Sequence, residues 1–296
     1  MYRSAVSLLK VAVCVAGCSG VAPLPPKALE LNQAGAEALA RGDLETADAR
    51  LSLALEYSPR FVEALVNQGL VELQRGNFER ARELIERARR LNPDVAQPHH
   101  ALGILAERQA RPDSASQHYY EALAVDPGFT PARANLARLL FDAGMLDEAL
   151  VQFKRLSELE PDSADAAGGL AETLLQLGRV SEAEAVTRRA RERFVDSPEL
   201  AVLWARSLLR RNEIARALDV LTPLGYGRDD VAASALAWLA TAELMRGDPR
   251  AAVGAAKRAL ELEPSSPVAT YVMGQALQAL GDPAAVAWIR RARERR

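Results

Sequence analysis

Cysteine and histidine, the side chains that most often bind metals or attack substrates, are rare in this 296-residue protein. Cys14 and Cys18 are its only cysteines, so no thiol remains after residue 18 for a disulfide, a metal ion or a nucleophile. The sequence contains no G-x-S-x-G motif, P-loop, G-x-G-x-x-G or H-E-x-x-H. Its carboxylates alternate with arginines at helical spacing, which is typical of surface ion pairs. We therefore predict no catalytic residue, no cofactor and no enzymatic activity.

The three histidines, His99, His100 and His118, lie close together in sequence, with Asp113 between them. Imidazole and carboxylate groups are zinc ligands, so a metal site is conceivable here. Neighbouring residues on an α-helix point about 100° apart, which disfavours a single ion bound by both His99 and His100. We predict packing and helix-surface roles for the histidines, and no metal site.

The first 17 residues have the features of a signal peptide. Arg3 and Lys10 supply positive charge, and residues 11–17 form a short run of apolar and small side chains. A run of this length is too short to cross a bilayer and is typical of a secretory signal. Residues 1–17 are therefore predicted to be removed.

The end of this segment, Val15-Ala16-Gly17-Cys18, resembles the bacterial lipobox, in which an apolar and two small residues precede a cysteine. The resemblance implies cleavage between Gly17 and Cys18 and attachment of lipid, with palmitate-like acyl chains, at Cys18. Several acyl chains give firm membrane anchoring. The following Ser19, where an aspartate would imply retention, implies sorting to the periplasmic face of the outer membrane. An ordinary signal peptide with a chance cysteine is the alternative.

Residues 18–27 are predicted to be a short tether between the lipid and the folded part. They include Pro23, Pro25 and Pro26, and proline keeps such a segment extended at about 3.1 Å per residue. The tether would reach only about 25–30 Å, which keeps the folded part close to the membrane surface.

A ladder of small residues organises the rest of the sequence. Its members stand 34 or 35 residues apart, and they are Gly42, Gly76, Ala110, Gly144, Gly178, Asn212, Gly247 and Gly281. Five residues after each ladder residue comes an alanine, except in the last unit, where Val286 takes that place. A fixed period of 34 residues is the signature of a helix–turn–helix solenoid.

Each unit is predicted to form two short helices. In the second unit, Gly76-Asn77 ends the first helix, because glycine tolerates a positive φ at a helix C-terminus. Asn92-Pro93 ends the second helix, because the residue before proline is pushed out of the α region. Four units carry a glycine seven residues before the ladder residue, namely Gly35, Gly69, Gly103 and Gly274. A mid-helix glycine costs about 1 kcal/mol against alanine, so we expect the two helices to approach closely there.

These recurring positions together resemble the tetratricopeptide repeat. The resemblance implies an all-α fold, a right-handed superhelical α-solenoid of about eight helix–turn–helix repeats, over residues 28–296. The repeats are expected near 28–61, 62–95, 96–129, 130–163, 164–197, 198–231, 233–266 and 267–296. The stretch from Thr222 to Asp230 replaces the usual end of the sixth repeat. It is predicted to be a loop that kinks the solenoid between residues 28–222 and 231–296.

In this family the first helices of the repeats line a concave face that selects a peptide or partner helix. By the repeat register, the predicted partner-binding residues are Asn32, Leu70, His100, Ile104, Arg108, Arg138, Phe141 and Arg206. Their mixed apolar and polar character suits a protein segment. The net charge of −2, with both signs mixed along the helices, gives no field to hold nucleic acid. Arginine far outnumbers lysine, and we attribute this to genome composition.

A lipobox followed by tetratricopeptide repeats resembles three groups of bacterial envelope lipoproteins. The first group is the type IV pilus pilotins with the related tight-adherence pilus lipoproteins. The second is the exopolysaccharide-export scaffolds, and the third is the adaptors that dock murein hydrolases or proteases. On size and regularity we favour the first, which implies a non-catalytic, membrane-anchored scaffold whose partner is a secretin or another assembly component. A regulator of hydrolases or proteases and an exopolysaccharide-export scaffold remain the alternatives.

Overall fold

A computed structural model describes residues 23–294. This part of the protein has sixteen helices and no strand. In sequence order they are α1 (Pro26–Ala40), α2 (Leu44–Tyr57), α3 (Val62–Gln74), α4 (Phe78–Leu91), α5 (Ala96–Arg108), α6 (Pro112–Val125), α7 (Thr130–Asp142), α8 (Leu146–Leu159), α9 (Ala164–Gln176), α10 (Val180–Arg193), α11 (Pro198–Arg210), α12 (Ile214–Leu224), α13 (Asp230–Arg246), α14 (Pro249–Leu262), α15 (Pro267–Ala279) and α16 (Ala285–Glu294). The predicted all-α fold of about eight helix pairs is confirmed.

The described residues form two compact units, which divide within α8 between Gln152 and Phe153. In the first unit, α1 packs on α2, α3 on α4 and α5 on α6, and each second helix of a pair also packs on the next first helix. The second unit repeats this arrangement with the pairs α9–α10, α11–α12, α13–α14 and α15–α16. The core of each unit consists mainly of alanine and leucine side chains.

Every ladder residue ends a first helix with a positive φ. The six glycines have φ between 71° and 88°, and Ala110 and Asn212 follow them with φ of 54° and 62°. In all eight turns the amide after the ladder residue donates to a carbonyl five residues earlier, at 2.8–3.0 Å, as Asp43 does to Ala38. This pattern is the Schellman motif, which satisfies the carbonyl groups left open at a helix C-terminus. The 34-residue period is therefore a repeated backbone requirement.

The mid-helix glycines make room for large side chains of the paired helix, as expected. A Cβ atom on Gly35, Gly69 or Gly103 would lie 2.3–2.6 Å from a side-chain atom of the second helix, and one on Gly274 would lie 3.0 Å away. The alanines five residues after the ladder are fully buried, from Ala47 to Ala252. Contacts of this length leave no space for an added methyl group unless a neighbour moves.

Four arginines of second helices are bonded to the backbone of the preceding repeat. Arg87 on α4 donates to the Pro59 carbonyl oxygen at 2.7 Å. Arg193 on α10 donates to the Pro161 carbonyl oxygen at 3.2 Å. Arg258 on α14 donates to Gly225 at 2.7 Å, and Arg291 on α16 donates to Pro264 at 3.2 Å. Each guanidinium therefore satisfies a carbonyl just beyond the end of another helix.

Two predicted boundaries need correction. Helix α1 begins at Pro26, so the last two residues of the predicted tether are helical, because proline is well tolerated in a first helical turn. The predicted loop from Thr222 to Asp230 is shorter, since α12 continues to Leu224 and α13 begins at Asp230. The kink expected at this loop stays a prediction.

Candidate functional site

The side chains six positions before each ladder residue lie at the same register on successive first helices. We call them the first-helix row. They are Ala36, Leu70, Ile104 and Arg138 in the first unit, and Glu172, Arg206, Thr241 and Gln275 in the second. All are half-buried or exposed, while the glycine or alanine one position earlier is largely buried. The row therefore keeps some accessible side-chain surface on every first helix.

In the first unit the row changes from apolar to charged. Leu70 and Ile104 are half-buried and pack against the cores below them. Arg138 is half-exposed and forms ion pairs with Glu107 on α5 and with Asp142, the latter at 3.3 Å. Near this end of the row lie Arg108, which is exposed, and Phe141, which is half-buried. The surface thus offers apolar contact and hydrogen-bonding groups of both signs.

Glu107 joins this charged end to the core. The Tyr119 hydroxyl donates to Glu107 Oε1 at 2.5 Å, and Arg138 donates to the other carboxylate oxygen. Burial, together with the Glu107 charge, raises the pKa of Tyr119 far above its usual range. The phenol therefore stays protonated and fixes the position of the Glu107–Arg138 pair.

Asn32 does not belong to an open surface, and its prediction as a partner-binding residue needs correction. It is only 7% exposed, and its Oδ1 accepts a hydrogen bond from Asn67 Nδ2 at 2.9 Å. The bond joins α1 to α3, and both asparagines are buried. Asn32 therefore satisfies a buried polar group of the next repeat.

His100 is buried as well, so the prediction that it contacts a partner also needs correction. Its ring lies 5.8 Å from that of Tyr119 and 5.4 Å from that of Phe129. Asn135 Nδ2 donates to His100 Nε2 at 3.0 Å, across from α7 to α5. Burial lowers the pKa of His100 to about 4, so the imidazole is neutral at pH 7. His100 is part of the packing between repeats.

The other two histidines share one carboxylate. The Nδ1 atoms of His99 and His118 lie 3.1 and 2.9 Å from Glu121 Oε2. Burial raises the pKa of Glu121, but the hydrogen bonds from His118 and His99 outweigh it, and the pKa is lowered. Between residues 23 and 294, no three His, Cys, Asp or Glu side chains are arranged to hold a metal ion.

In the second unit the row is built on an ion pair and an indole ring. Arg206 on α11 binds both carboxylate oxygens of Glu172 on α9, one of them at 2.7 Å. The two side chains are only 17% and 20% exposed. The Arg206 guanidinium carbon also lies 4.7 Å from the centroid of the Trp238 ring on α13. Such two-point and stacked contacts are specific to arginine.

Sequence reasoning missed the partners that fix these side chains, namely Asn67, Glu107, Asn135 and Trp238. A signal was present in the spacing. Asn32 and Asn67, His100 and Asn135, and Glu172 and Arg206 are complementary pairs separated by 34 or 35 residues. Residues one period apart lie on neighbouring first helices, so complementary polar residues at that spacing indicate a bond between repeats.

The predicted lipidation and cleavage residues, Cys18 and Gly17, lie outside the described residues. Among residues 23–294, no helix has the length and apolar character needed to span a membrane.

Comparison with known proteins agrees with this geometry. Models of the tetratricopeptide repeat match residues 60–127, 106–158, 140–203, 202–267 and 239–296, which together run from residue 60 to residue 296. The protein belongs to the tetratricopeptide-repeat family.

A curated relative is the type IV pilus assembly protein PilF of Pseudomonas aeruginosa. It is 31% identical over 96 residues, which are 32% of this protein and 37% of PilF. The match therefore spans little more than a third of that relative.

Three solved structures share the fold. The structure of Pseudomonas aeruginosa PilF has a TM-score of 0.58 and 23% identity, and covers 74% of this protein and 97% of its own length. PilW, described as a widely conserved type IV pilus biogenesis factor, has a TM-score of 0.57 and 20% identity over 69% and 94% of the two proteins. A tetratricopeptide repeat protein of Parabacteroides merdae has a TM-score of 0.57 and 17% identity over 86% and 100%. At these identities the structures show a common fold.

Proposed function

We propose that this protein is a non-catalytic, lipid-anchored scaffold that assists the assembly of a type IV pilus or a related secretion machine. The observation that carries the proposal is the sequence similarity to PilF, a type IV pilus assembly protein, within a repeat array. The fold supports a scaffold because stacked repeats present long continuous surfaces in place of one enclosed pocket.

The proposed binding surface is the first-helix row of the first unit together with the neighbouring Arg108 and Phe141. Leu70 and Ile104 supply apolar contact, and Arg108, Arg138 and Phe141 supply cationic and aromatic groups at its other end. Aromatic and arginine side chains are the residues that most often dominate binding energy at protein interfaces. Because Glu107 and Asp142 neutralise Arg138, a partner with groups of both signs fits better than a polyanion.

The membrane anchor is proposed to be lipid on Cys18. The lipobox resemblance supports it, and the mature N-terminus would then lie only a short tether away from α1. Cys18→Ala should yield an unprocessed or soluble protein in cell fractionation. A mature protein that still fractionates wholly with the outer membrane would rule out this anchor.

Co-purification from detergent-solubilised membranes identifies the partner. We expect a secretin or another pilus assembly component to be recovered with the wild-type protein. Recovery of a murein hydrolase or protease, or of exopolysaccharide-export components, would instead support one of the alternative scaffold roles. A matched preparation from cells with the Cys18→Ala protein tests whether capture depends on membrane attachment.

A further inference from the structure

A groove of about 450 Å³ lies beside the shortened end of α12 in the second unit. Second helices α10 and α14 each have 14 residues, but α12 has 11 and ends at Leu224, directly after Pro223. Both residues line the groove, together with Val220. Arg258 donates to the carbonyl oxygen of the adjacent Gly225 at 2.7 Å, which holds this wall in place. The groove is therefore a defined feature of the sixth repeat.

Arg191, in the last turn of α10, forms a cationic wall of this groove. Its guanidinium carbon lies 4.3 Å from the centroid of the Trp204 ring on α11. Its Nε is buried and donates to no acceptor among the described residues. Within residues 23–294, no carboxylate lies within ion-pair distance of Arg191, which sets it apart from Arg193, paired with Asp162 at 2.5 Å. The arginine is therefore positioned by stacking and keeps its hydrogen-bond donors for another acceptor.

The remaining lining residues define the ligand further. Val195 is 75% exposed, and with Val220 and Leu224 it gives the groove an apolar surface. Asp196 and Asp219 are exposed and also line it. Two carboxylates repel polyanions such as nucleic acid or a phosphorylated surface, whereas a single carboxylate can still pair with Arg191.

We propose that this groove binds a peptide segment of a partner protein in which one carboxylate lies next to an apolar side chain. The carboxylate pairs with the guanidinium of Arg191, and the apolar side chain packs on Val220 and Leu224. The carboxylate belongs either to an internal acidic residue or to the C-terminus of the partner. The groove is formed by α10, α11 and α12 and is separate from the first-helix row. The proposal rests on the scaffold role and adds a second contact to it.

Trp204 provides a direct reporter. The full-length protein is purified in detergent with Trp238→Phe and Trp288→Phe, so that Trp204 is the only tryptophan. N-acetyl-leucine supplies a terminal carboxylate next to an apolar side chain, and N-acetyl-glutamyl-leucinamide supplies a side-chain carboxylate with a blocked terminus. N-acetyl-leucinamide is the neutral control, and inorganic phosphate is the control for a general anion effect.

We expect saturable changes in Trp204 emission with at least one carboxylate probe, and at least tenfold weaker binding of the neutral amide. The tighter of the two carboxylate probes identifies the source of the carboxylate. Arg191→Gln should weaken binding at least tenfold, and Arg188→Gln, an exposed arginine of the same helix, should change it less than twofold. The Arg191→Lys variant keeps the positive charge but loses the planar guanidinium group. Its affinity for the carboxylate probe should therefore lie between those of the wild-type protein and Arg191→Gln.

Three results would overturn the proposal. The first is the same affinity for N-acetyl-leucine and for N-acetyl-leucinamide. The second is the same affinity of the carboxylate probe for the wild-type protein and for a folded Arg191→Gln variant. The third is a change in Trp204 emission with phosphate as large as the change with the carboxylate probe. If circular dichroism shows that Arg191→Gln does not fold, the binding of N-acetyl-leucine and N-acetyl-leucinamide to the wild-type protein still tests the proposal. A negative result in this experiment would not contradict the proposals for the first-helix row and the lipid anchor, because neither includes a residue of the groove.

Discussion

Replacing Gly103 with alanine should destabilise the first unit, although alanine is the better helix former. A Cβ atom on Gly103 in α5 would lie 2.3 Å from a ring carbon of Tyr119 on α6. Tyr119 is fully buried, and its hydroxyl is held by Glu107 at 2.5 Å. The ring therefore cannot move aside without losing a hydrogen bond to a charged group.

The magnitude follows from two opposing effects. Helix propensity favours alanine over glycine by about 1 kcal/mol. Overpacking a filled core costs about 1–3 kcal/mol, and a hydrogen bond to a charged group contributes about 1.5–3 kcal/mol if it is lost. We expect a net loss of about 2 kcal/mol in the free energy of unfolding.

Gly254 supplies a matched control for the same substitution. It lies inside α14, is exposed, and has no atom within 4 Å of the position that a Cβ would take. Gly254→Ala should therefore stabilise the protein by up to about 1 kcal/mol. The two alanine substitutions are expected to have opposite signs.

Urea-induced unfolding measures both variants. Far-ultraviolet circular dichroism follows the helices of both units, and fluorescence follows the second, because Trp204, Trp238 and Trp288 all lie there. Since repeat arrays often unfold in more than one step, apparent midpoints are compared for each probe. A Gly103→Ala protein as stable as wild type, or two variants that shift in the same direction, would refute the packing argument.

Three further predictions concern the same structure. Ala110→Gly should stabilise the first unit by about 0.5–1 kcal/mol in urea unfolding, because Ala110 has a φ of 54°, which glycine adopts without strain. An unchanged or lower unfolding midpoint would contradict this. The pKa of His100 is about 4 in the folded protein and 6.5 when the ring is exposed, so as the pH falls the unfolded protein takes up a proton at a higher pH than the folded protein does. Stability should therefore fall as the pH drops from 6.5 towards 4, by about 3 kcal/mol at most, and His100→Asn should flatten this slope in unfolding midpoints measured against pH. Glu172→Gln and Arg206→Met in a double-mutant cycle should show a coupling of about 1–2 kcal/mol, more than an exposed pair gives; a coupling near zero would refute the stabilising role of their two-point contact.

The repeat fold could be predicted because one local requirement recurs at a fixed spacing. A residue with positive φ is needed at every turn, and glycine meets that need at six of the eight positions. Ala110 and Asn212 show that the period is the stronger signal, since both adopt the same conformation without being glycine. The close contact behind Gly69 could also be anticipated, because a mid-helix glycine needs a packing reason.

The candidate surface was less predictable because the register of a helix does not determine burial. Asn32 and His100 have the register of a first-helix surface, but the next repeat supplies an asparagine to each and covers it. Such burial depends on side chains about 34 residues away. The groove beside α12 was missed for another reason, since it arises where the sixth repeat departs from the pattern.

The excess of arginine over lysine also has a structural cause in part. Arg87 and Arg258 donate to carbonyl oxygens of the preceding repeat, and Arg206 binds a carboxylate by two bonds. A guanidinium group has a planar fork of donors that suits these contacts, whereas an ammonium group is a point charge. A lysine could not reproduce the two-bond contact of Arg206.

The central claim is that this protein is a scaffold that assists pilus assembly through the first-helix row and its neighbours. The most direct test is to measure the amount of pilin on the cell surface. Deletion of the gene in the source bacterium should lower the amount of pilin sheared from the cell surface. The wild-type protein should restore it, and Arg138→Glu with Phe141→Ala should not, although that variant is expected to keep its helix content and membrane attachment. Unchanged surface pilin in the deletion strain would contradict the role in pilus assembly, and full restoration by the double variant would place the binding surface elsewhere.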